Sequence, residues 1–398
     1  MDLLIHPHKL NGSLQVIPSK SQAHRYLICA AFADGPTTIK CSATNRDMDA
    51  TMDCLNALGA EITKDPEGYR VKPIGAVPQK AELPCRDSGS TLRFLLPVAG
   101  ALGVDATFFM EGRLPSRPLS PLWEEMERMG CSLTRPTETT LRCQGKLKPG
   151  TYRIDGGVSS QFITGLLFAL SCIPGRSDIQ ILGNLESRPY IDMTRNAMEV
   201  FGLPIEDFHL PDKKVFHSPG TLTVEGDWSN AAFFLAADFL GSQVEIPNLN
   251  MDSHQGDRAI ANLLIQFADC PTISVADIPD LTPILAVTAA CRNGAVFKDI
   301  RRLRLKESDR VETIIRMITA LGGKAQADEE TLWVYGTGLM GGTVDACNDH
   351  RIAMAAAIAA TATKHDVTIL GADCVSKSYP EFFQEYRTLG GNYEQYIR

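Results

Sequence analysis

The segment RVETIIRMITALGGKAQA, residues 310–327, ends a helical pattern at Leu321-Gly322 and passes directly into a predicted strand. Glycine is a common helix stop because it adopts a left-handed conformation without steric cost. The same stop recurs at Leu58-Gly59, Met129-Gly130, Phe201-Gly202 and Leu389-Gly390. A second type of join, also from helix to short strand, occurs at Asp34-Gly35, Leu102-Gly103, Pro174-Gly175, Leu240-Gly241, Asn293-Gly294 and, without its glycine, Lys364-His365.

The joins recur with a period of roughly 70 residues, which predicts six copies of one unit. Each copy is predicted to contain a strand, a helix, a strand, a helix and two further strands. Six copies over 398 residues divide into two α/β domains of three, with tight crossings near Pro18-Ser19 and Glu225-Gly226. The alternative is a generic α/β chain whose glycines recur by chance.

Composition excludes several classes of protein. Apolar residues at 44% and charged residues at 22% are ordinary for a folded chain. A net charge of -8 argues against a nucleic-acid or membrane partner, because polyanions require a basic surface. The eleven cysteines form no Cys-x-x-Cys pair and are interpreted as reduced core residues of a cytoplasmic protein. Neither a signal peptide nor a membrane span is predicted.

Polar and basic residues gather at predicted helix starts. Free backbone N–H groups and the helix dipole make such positions suitable for anions. One cluster alone would indicate only helix capping, but several clusters, each with a basic or amide side chain, favour anion binding. The clusters are Ser19-Lys20-Ser21 with Arg25, Asp87 to Ser90 with Arg93, Ser159-Ser160-Gln161, Lys306 to Arg310, and Asn348-Asp349-His350-Arg351.

Other motifs carry less information. Gly336 to Gly341 matches the dinucleotide pattern G-x-G-x-x-G, but the following residues continue as strand, so we interpret the segment as a hairpin turn. No phosphate-binding loop of nucleotide triphosphatases, no serine-hydrolase elbow and no His or Cys cluster for a metal is found. The sequence therefore predicts no cofactor and no metal, and assigns the chemistry to Lys, Arg, Glu and Asp.

Several ordered motifs resemble the 5-enolpyruvylshikimate-3-phosphate synthase family over nearly the whole chain. They are the clusters above, together with Arg117-Pro118, Ser187 to Asp192, Val224 to Asp227, Ile278-Pro279-Asp280 and Lys377. The resemblance implies a two-domain inside-out α/β barrel with three βαβαββ units per domain and the active site in the cleft between the domains. It implies domains 19–225 and, discontinuously, 1–18 with 226–398.

The resemblance also implies the reaction and the residues that perform it. The enolpyruvyl group of phosphoenolpyruvate passes to the 5-hydroxyl of shikimate 3-phosphate, and phosphate leaves after a tetrahedral intermediate. Shikimate 3-phosphate is expected to contact Lys20, Ser21, Arg25, Ser159, Ser160, Gln161, Ser187, Asp280 and Lys306. Phosphoenolpyruvate is expected to contact Lys20, Gly89, Arg117, Gln161, Arg310, Arg351 and Lys377. Asp280, Glu307 and Lys20 are the expected catalytic residues, and the enzyme is expected to act as a monomer and to be inhibited by glyphosate.

Two alternatives remain at this stage. The related UDP-N-acetylglucosamine enolpyruvyl transferases share the fold, but their reactive loop carries a cysteine that residues 111–117 lack. A repeat scaffold without catalysis is the alternative from another class. The chain departs from the shikimate family pattern at Pro18, Asp87 and Arg302, so the last two are left out of the expected site.

Overall fold

The computed structural model describes residues 1–212 and 215–396. The chain divides into two compact units, one of Pro18–Glu225 and one of Met1–Ile17 with Gly226–Arg398. The helices of the first unit are α1 (Lys20–Ala31), α2 (Arg46–Ala57), α3 (Gly89–Leu102), α4 (Leu122–Arg128), α5 (Ser160–Ser171) and α6 (Arg188–Val200). Those of the second are α7 (Trp228–Phe239), α8 (Ile260–Gln266), α9 (Thr282–Cys291), α10 (Arg310–Ala320), α11 (His350–Ala359) and α12 (Phe382–Thr388).

The strands are short and are distributed along the whole chain. The first are β1 (Leu3–His6), β2 (Asn11–Ser13), β3 (Thr37–Lys40), β4 (Glu61–Asp65), β5 (Gly68–Lys72), β6 (Lys80–Arg86) and β7 (Asp105–Met110). They continue with β8 (Cys131–Thr137), β9 (Thr140–Gly145), β10 (Thr151–Asp155), β11 (Ser177–Leu182), β12 (His209–Leu210), β13 (Thr221–Thr223) and β14 (Gln243–Glu245). The last are β15 (Thr272–Ser274), β16 (Ala295–Lys298), β17 (Lys324–Ala327), β18 (Thr331–Tyr335), β19 (Gly342–Asp345), β20 (Val367–Leu370) and β21 (Asn392–Gln395).

The predicted repeat is clearest in residues 80–145 and 272–335. Each segment runs strand, helix, strand, helix and two strands, and each forms a four-stranded sheet, β6-β7-β9-β8 and β15-β16-β18-β17. In both sheets the first two strands are parallel and the remaining pairs are antiparallel. The predicted mixed α/β fold is therefore confirmed, with the glycine stops at the ends of α4 and α10.

Two other sheets are completed by distant parts of the chain. In the first unit, β13 pairs parallel with β3, so residues 221–223 extend the sheet β13-β3-β5-β4. In the second unit, β1 lies between β20 and β21 and pairs antiparallel with both. The N-terminal strand thus belongs to the same compact unit as the C-terminal residues. The remaining sheets of the described residues are β10-β11-β12 and β14-β2.

Each unit has three helices whose residues are mostly buried, α1, α3 and α5 in the first and α7, α9 and α11 in the second. A helix that is apolar on all sides must lie inside its unit. The helices α2, α6 and α10 instead have one face that is only partly buried. The polar clusters found in the sequence lie at or just before the first turns of inner helices and of α10, which holds their side chains on rigid supports.

Two details differ from the sequence interpretation. Residues 336–341 do not form a hairpin, because β18 pairs with β16 and β17 whereas β19 pairs with β20 in another sheet. The segment instead carries the chain from one sheet to the next. Cys270 is exposed, although the cysteines were interpreted as core residues. Among the described residues, none of the helices combines the length and the apolar character needed to cross a membrane.

Gly165 allows α5 to pack directly against α3. A Cβ at this position would lie 2.2 Å from the backbone oxygen of Arg93 and 2.9 Å from Pro97 Cγ. We expect Gly165→Ala to lower the free energy of unfolding by about 2–3 kcal/mol, since overpacking of a helix contact forces backbone shifts. Urea unfolding followed by circular dichroism measures the change.

Gly75→Ala is the matched control. Nothing lies within 4 Å of a Cβ at Gly75, so we expect a change within about 0.5 kcal/mol. If the two variants were equally stable, the close contact between α3 and α5 would not limit packing.

Candidate active site

Helix α1 carries Lys20, Ser21 and Arg25 on its first turns. Ser19 caps the helix, and its side chain accepts a hydrogen bond from the backbone N–H of Gln22. Lys20 Nζ lies 3.0 Å from Asp47 Oδ2, and both side chains are largely shielded from solvent. The ammonium group and the helix N-terminus therefore contribute positive charge at the same place.

The guanidinium of Arg25 connects α1 to α6. Nε donates to Thr194 Oγ1 at 2.9 Å, Nη2 donates to the backbone oxygen of Tyr190 at 2.8 Å, and Nη1 donates to that of Ser21 at 2.6 Å. Burial lowers the pKa of Arg25 to about 10. Ser187, the residue before α6, is buried and adopts a left-handed conformation with φ 55°. Arg25 thus holds the first turn of α6, which Ser187 precedes.

Gln161 joins the first turns of α5 and α3. Ser159 caps α5 by accepting a hydrogen bond from the Gln161 backbone N–H, and Ser160 is buried beside it. Gln161 Nε2 donates to Ser90 Oγ at 3.0 Å, while its Oε1 accepts from Arg93 Nη1 at 3.0 Å. The helix starts that carry the serine clusters are therefore linked side by side.

Gly89 lies directly under two arginine side chains. A Cβ at this position would lie 2.5 Å from Arg117 Nη1 and 2.8 Å from Arg93 Nη1. Arg117 Nε is buried and has no hydrogen-bond partner among the described residues. The sequence analysis places Arg93 in an anion-binding cluster but not among the residues expected to contact either substrate, although it lies four residues after Gly89 on the same helix. A planar donor pair beside a helix start suits a carboxylate or phosphate group.

Arg310 organises the polar cluster of the second unit. Its side chain is 1% exposed and contacts three carboxylates. Nη2 donates to Glu307 Oε2 at 2.6 Å, Nη1 to Asp280 Oδ1 at 2.8 Å, and Nε to Asp349 Oδ2 at 3.0 Å. Burial lowers the pKa of Arg310, but the three carboxylates outweigh it and the net shift is upward. Arg310 stays charged and orients both expected catalytic carboxylates.

Asp280 is surrounded by cations. Lys306 Nζ lies 3.4 Å from its Oδ1 and Arg351 Nη2 lies 3.6 Å from its Oδ2. Burial would raise the pKa of Asp280, but Lys306, Arg351 and Arg310 hold it well below the usual value. The pKa of Lys306 is lowered, mainly by burial and against the pull of Asp280. Asp280 is consequently ionised at neutral pH, the form that accepts a proton.

Arg351 and Lys377 complete this cluster. Arg351 Nη1 donates to the backbone oxygen of Ser229 at 3.0 Å and to Asn230 Oδ1 at 3.3 Å. Lys377 is 9% exposed, and its Nζ donates to the backbone oxygen of Asn348 at 2.9 Å. Arg351, on the first turn of α11, thereby contacts the start of α7, and Lys377, before α12, contacts the segment that precedes α11.

Asp349 lies in one of the clusters named from the sequence, but it is not among the residues expected to contact substrate. It caps α11 by accepting a hydrogen bond from the backbone N–H of Arg351, and it also accepts from Arg310 and from Ser308 Oγ. Its side chain is fully buried. An acidic capping residue is typical of a helix start. The contact with Arg310, which is distant in the sequence, shows that Asp349 also holds that guanidinium in place.

The structure therefore gathers the expected residues into two groups, one in each compact unit. In the first unit, hydrogen bonds link α1 to α6 and α3 to α5 around Lys20, Ser21, Arg25, Gly89, Arg117, Ser159, Ser160, Gln161 and Ser187. In the second, ion pairs and hydrogen bonds link Asp280, Lys306, Glu307, Arg310 and Arg351, and Lys377 contacts the segment before α11.

Comparison with known proteins points to one family. The family model for EPSP synthase (3-phosphoshikimate 1-carboxyvinyltransferase) matches residues 5–386. Curated 3-phosphoshikimate 1-carboxyvinyltransferases from Clostridium beijerinckii and Clostridium kluyveri are 35% and 36% identical to the chain, with coverage of 99% and 98% of both sequences.

Solved structures have the same fold. EPSP synthase from Acinetobacter baumannii matches with a TM-score of 0.80 at 22% identity, covering 99% of each chain. The enolpyruvyl transferase NikO from Streptomyces tendae matches with a TM-score of 0.77 at 17% identity, covering 99% of this chain and 98% of that one. Because the family model spans almost the whole sequence and curated members are 35% and 36% identical over nearly their full length, the chain belongs to the EPSP synthase (3-phosphoshikimate 1-carboxyvinyltransferase) family.

Proposed function

We propose that this chain transfers the enolpyruvyl group of phosphoenolpyruvate to the 5-hydroxyl of shikimate 3-phosphate, releasing phosphate, through the residues of the two groups above. The family match over residues 5–386 is the observation that carries the reaction. The site supports it independently, since both substrates are anions and both groups concentrate Lys, Arg and helix starts in a chain of net charge -8.

The first group supports the binding roles. The serines at the starts of α5 and α6, with Gln161, offer uncharged donors for the phosphate of shikimate 3-phosphate. Lys20 offers one charged donor for phosphoenolpyruvate. Arg117 offers another beside Gly89, where the absence of a Cβ leaves space for its guanidinium group. Arg25, with three of its five N–H groups engaged by the protein, contributes at most its two remaining donors.

The second group supports the proton transfers. Ionised Asp280 accepts the proton of the 5-hydroxyl as that oxygen bonds to C2 of phosphoenolpyruvate. C3 gains a proton in this addition and loses it again when phosphate leaves, and Glu307 and Lys20 are the candidates for this exchange. Arg310, Arg351 and Lys377 stabilise the charge on the departing phosphate.

The proposed enolpyruvyl transferase domains are 19–225 and 1–18 with 226–398, and the two compact units differ from them only in the assignment of Pro18. Each unit carries only part of the expected set of site residues. The absence of a cysteine in residues 111–117 continues to favour shikimate 3-phosphate over a UDP-sugar acceptor. Inhibition by glyphosate is expected on the same family grounds.

The test uses purified protein with phosphoenolpyruvate and each acceptor in turn. We expect release of inorganic phosphate with shikimate 3-phosphate and without added metal. Release with UDP-N-acetylglucosamine but not with shikimate 3-phosphate would overturn the proposed acceptor, and silence with both would overturn the function.

Gly89→Ala tests the phosphoenolpyruvate subsite. The new Cβ would displace Arg117 and Arg93 at their flexible ends, so the fold should be kept while the donors move by about an ångström. We expect kcat/KM for phosphoenolpyruvate to fall by about 10- to 100-fold. Steady-state kinetics measure it, with Gly35→Ala as control because only Ser218 Cβ, at 3.9 Å, lies near a Cβ there. Equal kinetics for both variants would remove Gly89 from the subsite.

A further inference from the structure

Asp257 is a buried carboxyl group of the second unit that the proposed mechanism does not use. It lies in a short 3-10 turn, Gly256–Ala259, and is 2% exposed. Its Oδ2 accepts a short hydrogen bond from Ser229 Oγ. Its Oδ1 is shielded from solvent and has no hydrogen-bond partner among the described residues. A buried carboxylate oxygen without a partner is costly, which indicates a function other than packing.

Ser229 connects Asp257 to the site. The Ser229 side chain donates to Asp257, and the Ser229 backbone oxygen accepts from Arg351 Nη1 at 3.0 Å. Arg351 in turn pairs with Asp280 at 3.6 Å. Asp257 therefore fixes the residue that holds one end of the Arg351 guanidinium, while Asp280 holds the other.

We propose that Asp257 is a positioning residue for Arg351, and that gain or loss of its proton changes how strongly this group of residues attracts anionic phosphoenolpyruvate. The proposal rests on the proposed function, because it takes Arg351 to bind that substrate. In the protonated state Asp257 leaves the cluster more positive, whereas ionisation adds a buried negative charge behind Arg351.

The charged groups that face Asp257 favour a proton change near neutrality. Burial, followed by the charge of Asp280, raises the pKa of Asp257 to about 7. The hydrogen bond from Ser229 and the charge of Arg351 oppose the rise, and Asp227 at the start of α7 adds to it. Within its own turn, Arg258 is exposed and donates to the backbone oxygen of Met251.

The experiment compares kcat/KM for phosphoenolpyruvate in the wild type and in Asp257→Asn from pH 5.5 to 9, roughly one and a half to two pH units on either side of neutrality. The ratio of the two profiles cancels the titration of the substrates. We expect kcat/KM of the wild type, divided by that of the variant, to fall by about three- to tenfold as pH rises through 7. The change should lie in KM rather than in kcat. Asp252→Asn, an exposed residue of the same segment, is the control and should give a flat ratio.

Ser229→Ala provides a second variant in case Asp257→Asn folds poorly. In this variant Asp257 loses the hydrogen bond from Ser229, which favours the ionised carboxylate. We therefore expect the midpoint of the pH-dependent change in kcat/KM to move to higher pH. A pH-independent ratio for Asp257→Asn, or an unmoved midpoint in Ser229→Ala, would overturn the proposal. Failure of the proposed function looks different, since the wild type would then release no phosphate at any pH.

Discussion

Glu307→Gln should lower kcat by about 100- to 10,000-fold, the usual contribution of a positioned proton-transfer group. Glu307 Oε2 accepts a hydrogen bond from Arg310 Nη2 at 2.6 Å, and its side chain is 22% exposed, so it is held in place yet reachable. The glutamine oxygen can accept the same bond but cannot exchange a proton. Single-turnover and steady-state assays of phosphate release measure the loss.

Binding should survive in this variant. We expect the dissociation constant of shikimate 3-phosphate, measured by calorimetry, to change by less than about tenfold, equivalent to 1.4 kcal/mol. Glu312→Gln is the control, since Glu312 lies on α10, shortly after Glu307, and its exposed side chain pairs with exposed Arg316. Unchanged turnover in Glu307→Gln would exclude Glu307 from proton transfer, and it is also the result that a non-catalytic repeat scaffold predicts.

Arg310→Met should lower the free energy of unfolding by about 3–5 kcal/mol, because it leaves buried carboxylates without their cation. Arg310 is 1% exposed and Asp349 is fully buried, while Asp280 and Glu307 are each 22% exposed. Removal of the guanidinium thus takes a donor from three anions at once. Chemical unfolding of the variant and the wild type at pH 7 measures the difference.

Two companion variants separate charge from geometry. Arg310→Lys keeps the charge but not the planar donor set, so its stability should lie between those of the wild type and Arg310→Met. Arg316→Met removes an exposed ion pair on the same helix and should change stability by less than about 1 kcal/mol. If Arg310→Met were as stable as Arg316→Met, the buried cluster would not depend on its central cation.

The ion pairs around Arg310 bear on the proposed division of proton transfer among several groups. Cations hold the pKa of Asp280 low, so in the proposed reaction it would accept a proton readily only while the 5-hydroxyl is becoming acidic. A weak base that is always ionised suits a step in which the proton leaves as the new C–O bond forms. The proton then has to pass on, which is consistent with separate roles for Glu307 and Lys20.

Features that act over one helical turn could be predicted from the sequence alone. Glycine stops, capping residues such as Ser19 and Ser159, and basic residues beside them follow from local chemistry, because a cap bonds to backbone groups two or three positions away. The repeat of helix and strand followed from these joins. The prediction of a hairpin from the glycines at residues 336–341 was wrong, because the strands on either side of the segment belong to different sheets.

Which side chains are buried together depends on the packing of distant segments, and local sequence patterns do not show it. Arg351 contacts Ser229, 122 residues away, and Ser229 contacts Asp257, 28 residues away. Charge on these groups depends on burial and on partners that no local pattern specifies, which is why Asp257 and the second role of Asp349 were invisible in the sequence. The polar clusters could be predicted because they arise from local sequence. The protonation and orientation of their side chains depend on how the helices pack.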